Sequence, residues 1–153
     1  MQTLLARKLW PLFKKLGSYV IQVYDRIDLN DNKSIAMENF VNRTEEAVFE
    51  ETKEFLCDLS EEAEVIHSRD LDQEQILKPK LWVVTPIDGK ENLSSQIPMM
   101  TLNLSLFESG ELKCSMVYDI VSDILYSSQP KKGSFSNQVR IRARSSIESA
   151  LYI

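Results

Sequence analysis

Within the segment Trp82-Val83-Val84-Thr85-Pro86-Ile87-Asp88-Gly89-Lys90-Glu91-Asn92-Leu93 a hydroxyl (Thr85), a carboxylate (Asp88) and an ammonium (Lys90) stand close together, with Pro86 and Gly89 between them to bend the chain. A carboxylate is a ligand for a hard cation such as Mg²⁺, and an ammonium can meet a phosphate as a point charge. Taken alone, Pro86-Ile87-Asp88-Gly89 also reads as an ordinary turn after a buried strand, since Pro, Asp and Gly are turn residues. Upstream, Ser60-Glu61-Glu62 supplies further carboxylates, of which Glu62 reads as an exposed acid. Glu45 lies in an acid-rich stretch and reads equally as a solvated charge or as part of a site. His67, the only histidine, has no partner residues at a spacing that suits a metal or a nucleophile, and reads as a surface residue. Ser/His/Asp and Cys/His groupings, a Gly-rich phosphate loop and a zinc pattern are all missing, so the residues give no nucleophilic catalytic group.

The elements that must position these residues follow from periodicity. Leu5, Leu9, Leu12, Leu16, Tyr19, Val20, Val23, Tyr24 and Ile27 recur at helical spacing and predict an amphipathic first helix, which Pro11 either kinks or begins. Asp28 to Asn32 reads as a loop. A second helix is expected from Asn39 to Cys57, with Val41, Val48 and Phe55 inward, Phe40, Ala47 and Leu56 beside them, and Glu46, Glu50, Glu51 and Glu54 on a solvated face. From Leu81 onward the pattern changes to strands. Leu102, Leu104 and Leu106 alternate with Thr101, Asn103 and Ser105, Glu108-Ser109-Gly110-Glu111 turns the chain, and Leu112 to Tyr118 returns. Ile124 to Ser127 and Val139 to Ile141 predict two more strands around a turn-rich Gln129 to Asn137. Helices followed by a meander imply an α+β fold with two N-terminal helices packed on a mainly antiparallel sheet.

With 153 residues, 43% of them apolar, the chain is long enough for one domain, residues 1–153, with its own core. Residues 25–75 carry 16 acidic against 5 basic side chains, which would repel nucleic-acid phosphates. Cys57 and Cys114 lie far apart in apolar-flanked segments and read as structural thiols in a reducing, cytoplasmic setting. No apolar run is long enough to span a bilayer. The basic, acid-free first helix leaves a peripheral membrane role as an alternative, with Trp10 and Phe13 at the boundary.

The 82–93 segment resembles the signature of the inositol monophosphatase superfamily, which includes the bisphosphate nucleotidases of the CysQ type: W, two hydrophobic residues, D-P, a hydrophobic residue, then D-G-T-x-N-F. Thr85 stands where the first Asp belongs and Lys90 where the Thr belongs. Val41-Asn42-Arg43-Thr44-Glu45, after Lys33, resembles the family's V-T-x-x-D, which would make Glu45 its acid. Ser60-Glu61-Glu62 is similar to the G/S-E-E motif, Met116-Val117-Tyr118-Asp119-Ile120 to V-V-Y-D-P, and Gly133-Ser134-Phe135-Ser136-Asn137-Gln138 to G-A-F-x-N-G. Ala150-Leu151-Tyr152-Ile153 looks like the strand that leads into the second half of the family's αβαβα sandwich, so the resemblance implies the first half only.

The implied chemistry is Mg²⁺-dependent hydrolysis of a phosphomonoester, with metals activating water and shielding phosphoryl charge. The implied metal ligands are Glu61, the Ile87 peptide oxygen and Asp88. Thr85 lacks the bridging carboxylate, and an ammonium at Lys90 would repel Mg²⁺ or meet a substrate phosphate instead. The resemblance therefore leads to a degenerate, catalytically inactive domain with no catalytic residues, holding Mg²⁺ weakly if at all and acting through protein contacts as a homo-oligomer or with a protein partner. The alternative is an active phosphatase of inositol phosphates or nucleotide bisphosphates completed by another chain.

Overall fold

The computed structural model describes residues 4–27 and 35–143. Helix α1 runs Leu4–Tyr24 and α2 Ile35–Leu59; β1 spans Glu64–His67, the short α3 Gln73–Ile76, β2 Leu81–Asp88 and the short α4 Lys90–Ser94. The remaining strands are β3 Thr101–Glu108, β4 Glu111–Asp119, β5 Ile124–Gln129, β6 Gly133–Ser136 and β7 Val139–Ile141. Among the described residues seven strands form one sheet in chain order, antiparallel except for the parallel β1–β2 pair. The architecture is α+β, as expected. The Asp28 to Asn32 loop, Lys33 and the terminal Ala150 to Ile153 strand lie outside the described residues.

Both long helices cover one face of the sheet. In α1, Leu9, Leu12, Phe13, Leu16 and Val20 are buried, and the stripe packs with Trp82, Leu102, Leu104, Met116 and Tyr118 in one core. The apolar face that could have entered a lipid surface is thus the face that holds the fold together. Pro11 lies inside α1 and does not begin it, because helical residues already start at Leu4. Gly17 lets the helix approach β4 closely: a Cβ there would lie 2.7 Å from Tyr118 Cε1.

In α2 the inward stripe is rotated from the expected one. Met37, Val41, Thr44, Glu45, Val48, Phe49, Thr52 and Leu56 are buried, whereas Phe40 and Ala47 are exposed. A strict spacing of seven drifts around a straight helix of 3.6 residues per turn, and the true seam follows steps of three and four. That seam takes in polar groups. The Thr44 and Thr52 hydroxyls donate to the carbonyls of Phe40 and Val48, which satisfies them within the helix.

The β3–β4 hairpin matches the alternation read from sequence: Leu102, Leu104 and Leu106 face the helices. Its tip is a two-residue loop with Ser109 and Gly110 both at positive φ, the primed geometry that suits strand twist. The turn-rich Gln129 to Asn137 contains an additional short strand, β6, which pairs with β5 and β7. Of the two thiols, Cys114 is buried and Cys57 is exposed, so only the former is a core residue.

Candidate functional site

The site forms where the C-terminal ends of β1 and β2 meet α2 and α4. In β2, Leu81 to Val84 are fully inside, followed by a register shift between Thr85 and Asp88 that Pro86 and Ile87 occupy. The Ile87 side chain is buried in the core, while Asp88 turns outward and accepts a hydrogen bond from Asn103 Nδ2 at 3.3 Å. Gly89 then adopts φ +99°, and a Cβ at this position would lie 2.6 Å from the Met99 carbonyl. Only glycine tolerates both conditions. The bend launches α4, and its first residue, Lys90, reaches back towards α2.

There the Lys90 ammonium lies 2.9 Å from Glu45 Oε2. Glu45 Oε1 is 3.3 Å from His67 Nε2, and the Arg69 guanidinium approaches Oε2 at 3.7 Å. The side chains of Glu45 and His67 are each 6% exposed, which overturns the expectation of a surface histidine and resolves Glu45 in favour of burial. His67 is positioned by β1, by the Phe49 ring 5.4 Å away, and by the Arg69 backbone N–H, which donates to Nδ1 at 3.1 Å. With Nδ1 accepting, a neutral ring carries its proton on Nε2 and donates it to Glu45. Sequence reading missed this grouping. The available signal was the spacing of Glu45 between Val41 and Val48 on the inward seam.

Glu61 is elsewhere. It is exposed in the turn before β1, whose first residue Glu64 pairs with Leu81, whereas Asp88 ends β2 at the other end of the strand. The length of β2 alone, at about 3.3 Å per residue, separates the two carboxylates by roughly 20 Å or more, so they do not share an ion. Asp88 instead neighbours Thr101, which in turn pairs with Asp119, and these residues border a pocket of about 260 Å³. Thr85 sits opposite Asn103 and supplies no charge.

The donors near Asp88 and Glu45 do not fit a two-metal Mg²⁺ centre. Glu45 is already neutralised by a lysine, Thr85 replaces a carboxylate, and Glu61 is out of reach. Among the described residues no group of three or more His, Cys, Asp or Glu side chains is arranged to hold a metal ion. No helix among them is long and apolar enough to cross a membrane.

Comparison with known proteins agrees with this fold. The Nus factor SuhB of Buchnera aphidicola subsp. Baizongia pistaciae is 26% identical over 136 residues, covering 86% of this chain and 50% of that protein. An inositol-1-monophosphatase of Bacillus subtilis is 32% identical over 65 residues, covering 42% of this chain and 24% of that protein. The crystal structure of Staphylococcal IMPase-II superposes with a TM-score of 0.75 at 20% identity, over 94% of this chain and 51% of that one. The chain thus spans about half the length of the relatives that it matches over most of its own length. The inositol monophosphatase family model matches residues 7–152, and the chain belongs to that family.

Proposed function

We propose that this chain is a phosphatase-fold domain that no longer hydrolyses phosphomonoesters and acts through protein contacts. The observation that carries this reading is the Lys90–Glu45 pair: the buried carboxylate of the site is compensated by a side chain, at 2.9 Å. Asp88 retains one charged oxygen donor towards solvent, enough for weak Mg²⁺ binding and too little to position a nucleophilic water between two metals. The protein contacts would use the sheet face opposite the helices, where Val117, Tyr126 and Ile141 border a shallow pocket and Tyr126, Val139 and Ile141 are exposed. A homo-oligomer or an obligate partner is the expected state, in a cytoplasmic setting. Light scattering coupled to size-exclusion chromatography checks this, and a monodisperse monomer at micromolar concentration counts against it.

The decisive assay is phosphate release from inositol monophosphate, fructose bisphosphate and adenosine bisphosphate in Mg²⁺. No rate above background is expected from the chain alone. Turnover that Asp88→Asn abolishes would sink the reading and favour a second one, an active phosphatase completed by another chain. That alternative draws on the length of the SuhB relative, of which this chain covers 50%.

A further inference from the structure

We infer that the cleft between α1 and the turns before β5 and after β6 binds a small aromatic carboxylate, with Arg7 gripping the anion and Trp10 walling the ring. The cleft shares no residue with the Glu45 cluster or with the exposed sheet face, and the inference does not rest on the functional reading above.

Arg7, Trp10, Asp123, Asn137 and Gln138 enclose about 400 Å³, a volume within the range of small-molecule sites. Arg7 and Trp10 stand three apart on α1, so they share one side of the helix. The Trp10 ring is half-buried and held edge-on to Tyr118, with centroids 6.1 Å apart. Asp123 and Asn137 have φ of +56° and +52°, a left-handed conformation that Asp and Asn tolerate better than most residues. Asn137 is fixed twice to β5: its backbone N–H donates to the Leu125 carbonyl at 2.7 Å, and its Oδ1 accepts the Leu125 N–H at 2.9 Å. Its Nδ2 donors have no partner among the described residues and stay available at the cleft.

The charges facing the cleft select an anion. Asp123 is offset by Lys14, which holds one carboxylate oxygen while its ammonium lies 5.8 Å from the Trp10 ring centroid; the Tyr118 hydroxyl donates to the other oxygen. Arg7 is exposed and has no ion-pair partner among the described residues. Two cations thus stand against one carboxylate. A guanidinium presents a planar fork that suits a carboxylate bidentately, and an indole offers an apolar wall to a flat ring. The Asn137 and Gln138 side-chain amides add hydrogen-bonding groups beside that wall. An anion without an aromatic body would use the fork and waste the wall, whereas a neutral aromatic would do the reverse.

Nuclear magnetic resonance of the full chain tests this with 2-naphthoate as probe, and with 2-naphthylmethanol and inorganic phosphate as comparisons at constant ionic strength. The two tryptophans give two indole N–H signals, which Trp10→Phe assigns. Naphthoate should shift the Trp10 indole and the Asn137 and Gln138 amides together, with a dissociation constant on the order of 1 mM for a ligand of about a dozen heavy atoms. The neutral alcohol and phosphate should each bind about tenfold more weakly, and Arg7→Gln should weaken naphthoate by a similar factor. Arg7→Gln should melt with wild type, because no described residue pairs with Arg7. Lys132→Gln makes the same charge change at an exposed site at the other end of β6 and should leave binding unchanged. The inference is overturned if naphthoate moves none of the three signals, if the alcohol or phosphate binds as tightly, if Arg7→Gln binds like wild type, or if Lys132→Gln weakens binding as much as Arg7→Gln. The comparison of three ligands on wild type decides the matter even if a variant does not fold.

Discussion

The Tyr118 hydroxyl donates to Asp123 Oδ1 at 2.7 Å while Lys14 of α1 holds Oδ2 at 2.5 Å, so one carboxylate joins the first helix to the β4–β5 turn. Lys14 first, and then the Tyr118 hydroxyl, hold the Asp123 carboxyl below its usual value. A depressed folded-state value contributes stability above the unfolded value, and that contribution is lost as pH falls through the folded value. Wild type should therefore lose more stability than Asp123→Asn on acidification from the ordinary Asp range downward. The pair is half-exposed, so the difference should stay below about 1 kcal/mol. Urea melts of both proteins across that range check the sign.

Burial pushes the Cys114 thiol up to about 11, and Cys57 is exposed. Only the thiolate reacts with disulfide reagents. One thiol should titrate quickly in the native protein and the second only after unfolding, and Cys57→Ser should abolish the fast phase. A fast phase that persists in Cys57→Ser would contradict the placement of Cys114 between the sheet and the helices.

Gly17→Ala should destabilise by about 1–3 kcal/mol through overpacking, although alanine by itself favours a helix by up to about 1 kcal/mol. The reason is the Tyr118 ring, which the new methyl would strike at 2.7 Å. That ring cannot easily withdraw, being packed against Trp10 and Phe13 and tied to Asp123 through its hydroxyl. Gly17→Ala combined with Tyr118→Leu should recover part of the loss in denaturant melts.

Gly89→Ala should separate the loop from the remainder of the fold. Its positive φ and the 2.6 Å approach to the Met99 carbonyl predict a loss of about 1–3 kcal/mol. Because the turn delivers Lys90 to Glu45, nuclear magnetic resonance of the variant should report changed His67 ring shifts, while the β3–β4 hairpin amides stay in place. Unchanged ring shifts would detach the turn from the buried charge cluster.

Much of the fold was legible because strands and amphipathic helices carry short-range periodicity. Leu102, Leu104 and Leu106 announce the face of β3, and the stripe from Leu9 to Val20 announces that of α1. The buried charge cluster was not legible in the same way. Its members come from α2, the end of β1 and the start of α4, and nothing in local spacing links Glu45 to Lys90, 45 residues apart. Glu61 illustrates the opposite error. A family-like Ser-Glu-Glu suggested a ligand, yet a parallel β1–β2 pairing that starts at Glu64 and Leu81 carries Glu61 to the far end of the sheet. Residue type was informative there; register was decisive.

The strand order β1 through β7 follows the chain without interruption. Each strand from β4 onward is laid beside its immediate predecessor through a short reversal, so this part of the sheet can grow by successive hairpin closures and never requires a late strand to insert between earlier ones. Loop-closure entropy for these steps is small, and low sequence separation between partners favours rapid folding. The exceptions are β1–β2, joined through residues 68–80, and β2–β3, joined through residues 89–100 with α4 among them, which makes the placing of β2 against its two neighbours the expected slow step. Among the described residues, pairing thus follows chain order from β3 to β7, and β2, the strand that ends at Asp88, is the one whose neighbours on both sides are reached through long connections.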